Sequence, residues 1–91
     1  MTSDDTETRR RRINYLSQRR GTKEADMVLG GFADRYLAEM DPEQLSQFEA
    51  LLLEPDPDLM NWIGGLEMPP ERHRTALFQL LMDFKKTLAS N

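Results

Sequence analysis

The sequence predicts an all-α protein, a compact five-helix bundle with short connections. Apolar residues recur at three- and four-residue intervals, no segment alternates with a period of two, and Pro, Gly and Asp stand where helices would begin and end. Ninety-one residues make one domain, which would bury about two-thirds of the surface of its unfolded chain and leaves little room for a deep catalytic cleft.

Residues 1 to 7 offer no apolar side chain after Met1 and are expected to form a disordered tail, with the helical domain running from 8 to 91. A modest first helix reaches Gln18 with Ile13 and Leu16 on one face and Tyr15 beside it. Past Gly21, a second helix places Ala25, Val28, Leu29, Phe32, Tyr36, Leu37 and Met40 on an amphipathic stripe. Gly30-Gly31 interrupts it at about 1 kcal/mol per glycine, which close packing of a neighbouring helix would explain.

Asp41-Pro42-Glu43-Gln44 combines an N-cap, a proline at the first helical position and a polar residue able to reach back to the cap. It opens a third helix that buries Leu45, Phe48, Leu51 and Leu52 and stops before Pro55. Asp56-Pro57-Asp58 repeats the start signal, with Asp56 as the cap, for a short fourth helix carrying Leu59, Trp62 and Ile63; Gly64-Gly65 ends it. Pro69-Pro70-Glu71 opens the last helix, with Leu77, Leu80, Leu81, Phe84 and Leu88 inward and Lys85 and Lys86 near its negative end.

The net charge of -4 divides unevenly: residues 1 to 24 carry +3 and residues 25 to 91 carry -7. The acidic start resembles neither a secretory signal nor a transit peptide, and no apolar run approaches a membrane span, so the expected address is the cytoplasm, without membrane contact. One histidine and no cysteine exclude a zinc site of the usual kind and thiol chemistry. His73, read as a solvated residue in the first turn of the last helix, has no nucleophile elbow to serve, and neither Gly-Gly pair continues into a phosphate loop. No catalytic, cofactor-binding or metal-binding residue is assigned, and the protein is not expected to be an enzyme.

Two features remain. Arg9-Arg10-Arg11-Arg12 could neutralise phosphates in a small nucleic-acid-binding regulator, although a body of charge -7 opposes DNA; a solvated helix face or an electrostatic patch for another partner are the competing readings. At the first helix junction, Arg19-Arg20-Gly21-Thr22-Lys23-Glu24 admits two readings. Gly21 could be an N-cap with Glu24 three residues on, which is purely structural. Alternatively, Arg20 could present its guanidinium to a carboxylate or carbonyls of another protein, with Gly21 letting a foreign backbone approach.

Arg20-Gly21-Thr22-Lys23-Glu24 also resembles the Arg-Gly-x-x-Glu motif of the succinate dehydrogenase assembly factors. The likeness extends through Asp26, Phe32, Tyr36-Leu37, Leu51-Leu52, Asp56-Pro57-Asp58-Leu59 and Trp62, over roughly residues 10 to 85. The resemblance implies a five-helix bundle that acts as a chaperone for the flavoprotein subunit of succinate dehydrogenase, with the related fumarate reductase as a second client, and promotes covalent attachment of FAD to that subunit. It implies that Arg19, Arg20, Gly21 and Glu24 form the partner-binding surface, that Asp56, Asp58 and Trp62 are scaffold, and that FAD belongs to the partner and is not held stably here. The oligomeric state expected is a monomer or a weak homodimer.

Overall fold

The structure is a computed structural model that describes residues 3–89. Among the described residues there are five helices and no strand. Helix α1 spans Ser3–Gln18. It begins earlier than expected, so the tail assigned to residues 1 to 7 is helical from its third residue, while Met1 and Thr2 lie outside the described residues. Asp5 and Glu7 suit the positive end of a helix dipole, and Glu7 lies 3.7 Å from Arg10 one turn on.

Helix α2 is one rod of changing pitch: an α-turn at Lys23–Ala25, a π-turn at Asp26–Gly30, α-helix at Gly31–Tyr36 and a 3-10 turn at Leu37–Glu39. Its wide turn falls at Gly30-Gly31, and the packing there explains both glycines. A Cβ on Gly30 would stand 2.7 Å from the Gln18 side chain of α1, and one on Gly31 would stand 3.2 Å from the Phe84 ring. Gln18 fills the first approach by donating from Nε2 to the Gly30 carbonyl at 3.2 Å and to Asp34 at 3.0 Å.

Helix α3, Pro42–Leu52, opens with the expected reciprocal cap: Asp41 accepts from Gln44 N–H at 2.8 Å and Gln44 accepts from Asp41 N–H at 3.0 Å. Helix α4, Asp56–Ile63, follows a sharp corner and ends at Gly64 and Gly65, the latter at φ +81, a conformation that costs glycine nothing. Helix α5, Ala76–Ala89, starts later than the proline pair suggests. Glu71–His73 forms a single 3-10 turn, Arg74 leaves the helical region, and the Thr75 hydroxyl accepts from Phe78 N–H at 3.1 Å to restart the chain as α5.

The core lies where α1 and α5 pack against α2 and α3. Phe32 is at its centre, with ring contacts to Tyr36, Phe48 and Phe84 at 5.0, 5.3 and 5.9 Å. The anticipated stripes are buried there, with Leu16, Tyr36, Leu80 and Leu88 partly covered at the margin. Phe78 adds a buried aromatic that the stripe assigned to α5 omits.

Candidate partner-binding site

The site is built on the turn between α1 and α2, and its geometry is set by Arg20. The guanidinium is turned inward, with its side chain only 9% exposed. It donates to the carbonyls of Leu16 at 3.0 Å and Leu52 at 2.8 Å, and lies 2.6 Å from the Asp56 carboxylate. A longer bond of 3.3 Å reaches the Glu54 carbonyl. These carbonyls belong to the ends of α1 and α3 and the corner beyond, where helix geometry leaves acceptors unpaired and partial negative charge accumulates. A planar fork with five donors answers several of them at once. The Arg20 donors are thus engaged inside the fold rather than turned outward, and the residue positions the turn around it.

Asp56 is also reassigned. Its carboxylate accepts from the Gly21 N–H at 2.9 Å and pairs with Arg20, while Pro55 occupies the N-cap position of α4 without a side-chain bond. The presumed cap instead ties α4 to the turn 35 residues earlier. On the other side of the turn, Asp26 accepts from the Arg20 N–H at 2.7 Å. The turn is thus held from both sides by carboxylates.

Gly21 is exposed, and a Cβ there would meet only Asp56 Oδ2 at 3.4 Å, an ordinary contact. The cap of α2 is Thr22, not Gly21 as the capping reading supposed. Thr22 has extended backbone and an Oγ1 that accepts from Ala25 N–H at 3.1 Å, which glycine could not offer. Glu24 consequently sits at the second helical position, exposed and without a hydrogen bond or ion pair among the described residues. Arg19 is exposed as well and lies over the Tyr15 ring, 5.4 Å from its centroid. Of the four residues assigned to the partner surface, Arg19, Gly21 and Glu24 are outside and Arg20 is withdrawn. Thr22 was legible as a cap from its hydroxyl one residue before the helix; the clamp between Arg20 and Asp56 had no local signal.

The basic run is largely consumed by the fold. Arg9 donates to Ser46 at 2.6 Å, Arg12 donates to Glu49 at 2.9 Å, and both reach α3 from α1. Arg10 donates to the carbonyls of Leu37 and Met40, at 3.2 and 2.8 Å, and closes the end of α2. Only Arg11 lacks a partner among the described residues. A phosphate-binding face would need these guanidiniums free, and the nucleic-acid reading gains no support.

His73 also departs from its expected solvated position. It is buried to 3% exposure, with its Nε2 2.7 Å from Glu54 Oε2 and its ring 5.5 Å from that of Trp62. The single 3-10 turn carries it into the corner between α3 and α4, and not onto the solvated first turn of α5 that was expected. The bond to His73, with a second from Arg72 at 2.7 Å, holds the Glu54 carboxyl below the usual carboxylate range.

No helix among the described residues is long and apolar enough to cross a membrane. Residues 11–85 match the family described as the flavinator of succinate dehydrogenase. The chain is 36% identical over 81 residues to the "FAD assembly factor SdhE" of Acetobacter pasteurianus, an alignment covering 88% of this chain and 74% of the relative. It is 40% identical over 86 residues to the "succinate dehydrogenase assembly factor 2, mitochondrial" of Cryptococcus neoformans, covering 93% of this chain and 49% of that protein. With the protein of the same description from Kluyveromyces lactis it shares 43% over 89 residues, covering 93% and 55%. The chain thus spans about half the length of these fungal relatives. The match takes in the whole of the helix core and the clamped Arg-Gly-x-x-Glu turn, and the chain belongs to the succinate dehydrogenase flavinator family.

Proposed function

We propose that this protein is an assembly factor that binds the flavoprotein subunit of succinate dehydrogenase, and the related fumarate reductase subunit, and promotes covalent attachment of FAD to that partner. Family membership supports the role, and the exposed Gly21 and Glu24 on a turn clamped by Arg20 and Asp56 support the place of contact. A rigid, side-chain-poor spot beside a carboxylate offers a partner's backbone close approach with little ordering cost. The factor supplies no reacting group. It acts by holding the flavoprotein in the conformation that forms the flavin bond, which requires tighter binding to that conformation than to its alternatives. FAD stays with the partner, and the factor works in the bacterial cytoplasm as a monomer or weak homodimer.

The test is co-expression of the flavoprotein subunit with and without this chain, followed by in-gel flavin fluorescence after denaturation. A strong increase in covalent flavin with the chain present is expected. Equal fluorescence in both lanes refutes the role.

A further inference from the structure

Glu24 stands on a ridge between two apolar grooves. One, of about 400 Å³, is formed by Met27, Val28 and Leu88 and rimmed by Lys23 and Lys85. The other, of about 310 Å³, lies between Pro57 and Met60 of α4 and Thr22 at the start of α2, and Glu24 borders both. Met27 is 54% exposed, a large apolar side chain left in water beside an unpaired carboxylate. In the second groove the Asp56 carboxylate is already neutralised by Arg20, so Glu24 carries the unanswered negative charge of the ridge. Lys23 and Lys85 likewise have no ion-pair partner among the described residues.

A partner covering both grooves would remove Glu24 from water, and an unpaired buried carboxylate is strongly unfavourable unless the partner brings a cation. The unbranched thioethers of Met27 and Met60 can repack around apolar side chains of differing shape. Lys23 and Lys85 line the first groove and not the second, and they favour an acidic group on that side, which gives the surface a direction. Resting on the flavoprotein reading above, we infer that Glu24 receives a lysine or arginine of the flavoprotein subunit, set between two apolar side chains of the same segment that fill the grooves on either side. An acidic residue of that segment faces Lys23 and Lys85. The turn is therefore a two-groove socket with a central ion pair.

The test uses the full chain carrying a photo-crosslinking p-benzoylphenylalanine at position 27 or 60, mixed with the purified flavoprotein subunit. Both positions should cross-link to one short flavoprotein segment with a basic residue between apolar ones. Glu24→Arg should weaken the complex about 100-fold or more while circular dichroism stays unchanged, and a glutamate replacing the partner's basic residue should restore at least a tenth of the affinity. Cross-links to separate segments, or to a second copy of this chain, overturn the socket. So does an unaltered complex with Glu24→Arg, which would leave the assembly role standing. Failure of the unmodified chain to bind the flavoprotein at all overturns both.

Discussion

The Asp56 carboxylate holds both the guanidinium of Arg20, at 2.6 Å, and the backbone N–H of Gly21, at 2.9 Å, so that the start of α4 fixes the turn between α1 and α2. Removing one partner of a largely buried ion pair leaves the other uncompensated. Arg20→Ala also strands the carbonyls of Leu16 and Leu52, and it should lower stability by about 2–3 kcal/mol, read by urea unfolding. Arg20→Lys keeps the charge without the fork and should recover less than half of the loss. An Arg20→Ala protein as stable as the parent would show that the turn is held by other contacts.

Gly21 separates stability from recognition. Since a Cβ there meets only one oxygen at 3.4 Å, Gly21→Ala and Gly21→Arg should both fold, each within about 1 kcal/mol of the parent. Binding should part them: alanine retains most of the affinity for the flavoprotein, and arginine, whose long cation occupies the approach, abolishes it. Titration calorimetry with the flavoprotein subunit decides the point, and a folded Gly21→Arg variant that binds normally would exclude this glycine from the interface.

The helical architecture was legible because burial repeats locally. Every stripe from Ile13 to Leu88 follows from three- and four-residue spacing, and the Asp41–Gln44 cap follows from four consecutive residues. The site was legible only in part. That Glu24 and Gly21 face outward agrees with the motif reading, but apart from the Leu16 carbonyl one turn back Arg20 finds its acceptors 32 to 36 residues away in the chain, a distance that no periodicity reports. His73 departs from the expectation for a related reason: Pro69-Pro70-Glu71 is a sound start signal, yet it opens only a 3-10 turn that carries the histidine inward, and the Thr75 hydroxyl caps the helix two residues further on.

Glu54 should leave a signature in acid. Its folded carboxyl titrates below its ordinary value of 4.5 because His73 and then Arg72 hydrogen-bond the ionised form. A depressed folded value means the unfolded chain binds the proton first as pH falls, so this stabilisation is complete above about pH 4.5 and is lost below it. Glu54→Gln removes that contribution. Its unfolding midpoint should lie below that of the parent at pH 6 and converge toward it as pH drops to 3. Two parallel curves over this range would mean that the carboxyl titrates alike in the folded and unfolded chains.

The paired glycines of α2 should respond unequally to the same substitution, because their neighbours differ in freedom. Gly30→Ala places its methyl 2.7 Å from Gln18 Oε1, the far end of a flexible side chain that can swing away, losing its bonds to the Gly30 carbonyl and Asp34. The gain in helix propensity, about 1 kcal/mol, offsets much of that loss, and stability should stay within about 1 kcal/mol of the parent. Gly31→Ala drives its methyl to 3.2 Å from Phe84 Cζ. That ring is packed in the core against Phe32 and Tyr36, at 5.9 and 6.3 Å, and has less freedom than the Gln18 amide. Overpacking of this kind costs about 1–3 kcal/mol and outweighs the propensity gain, so Gly31→Ala should be the destabilised variant of the two by urea unfolding. Equal effects at both positions would mean that the Phe84 ring yields as freely as the Gln18 amide, and that the tight approach of α5 to the π-turn is not what selects glycine there.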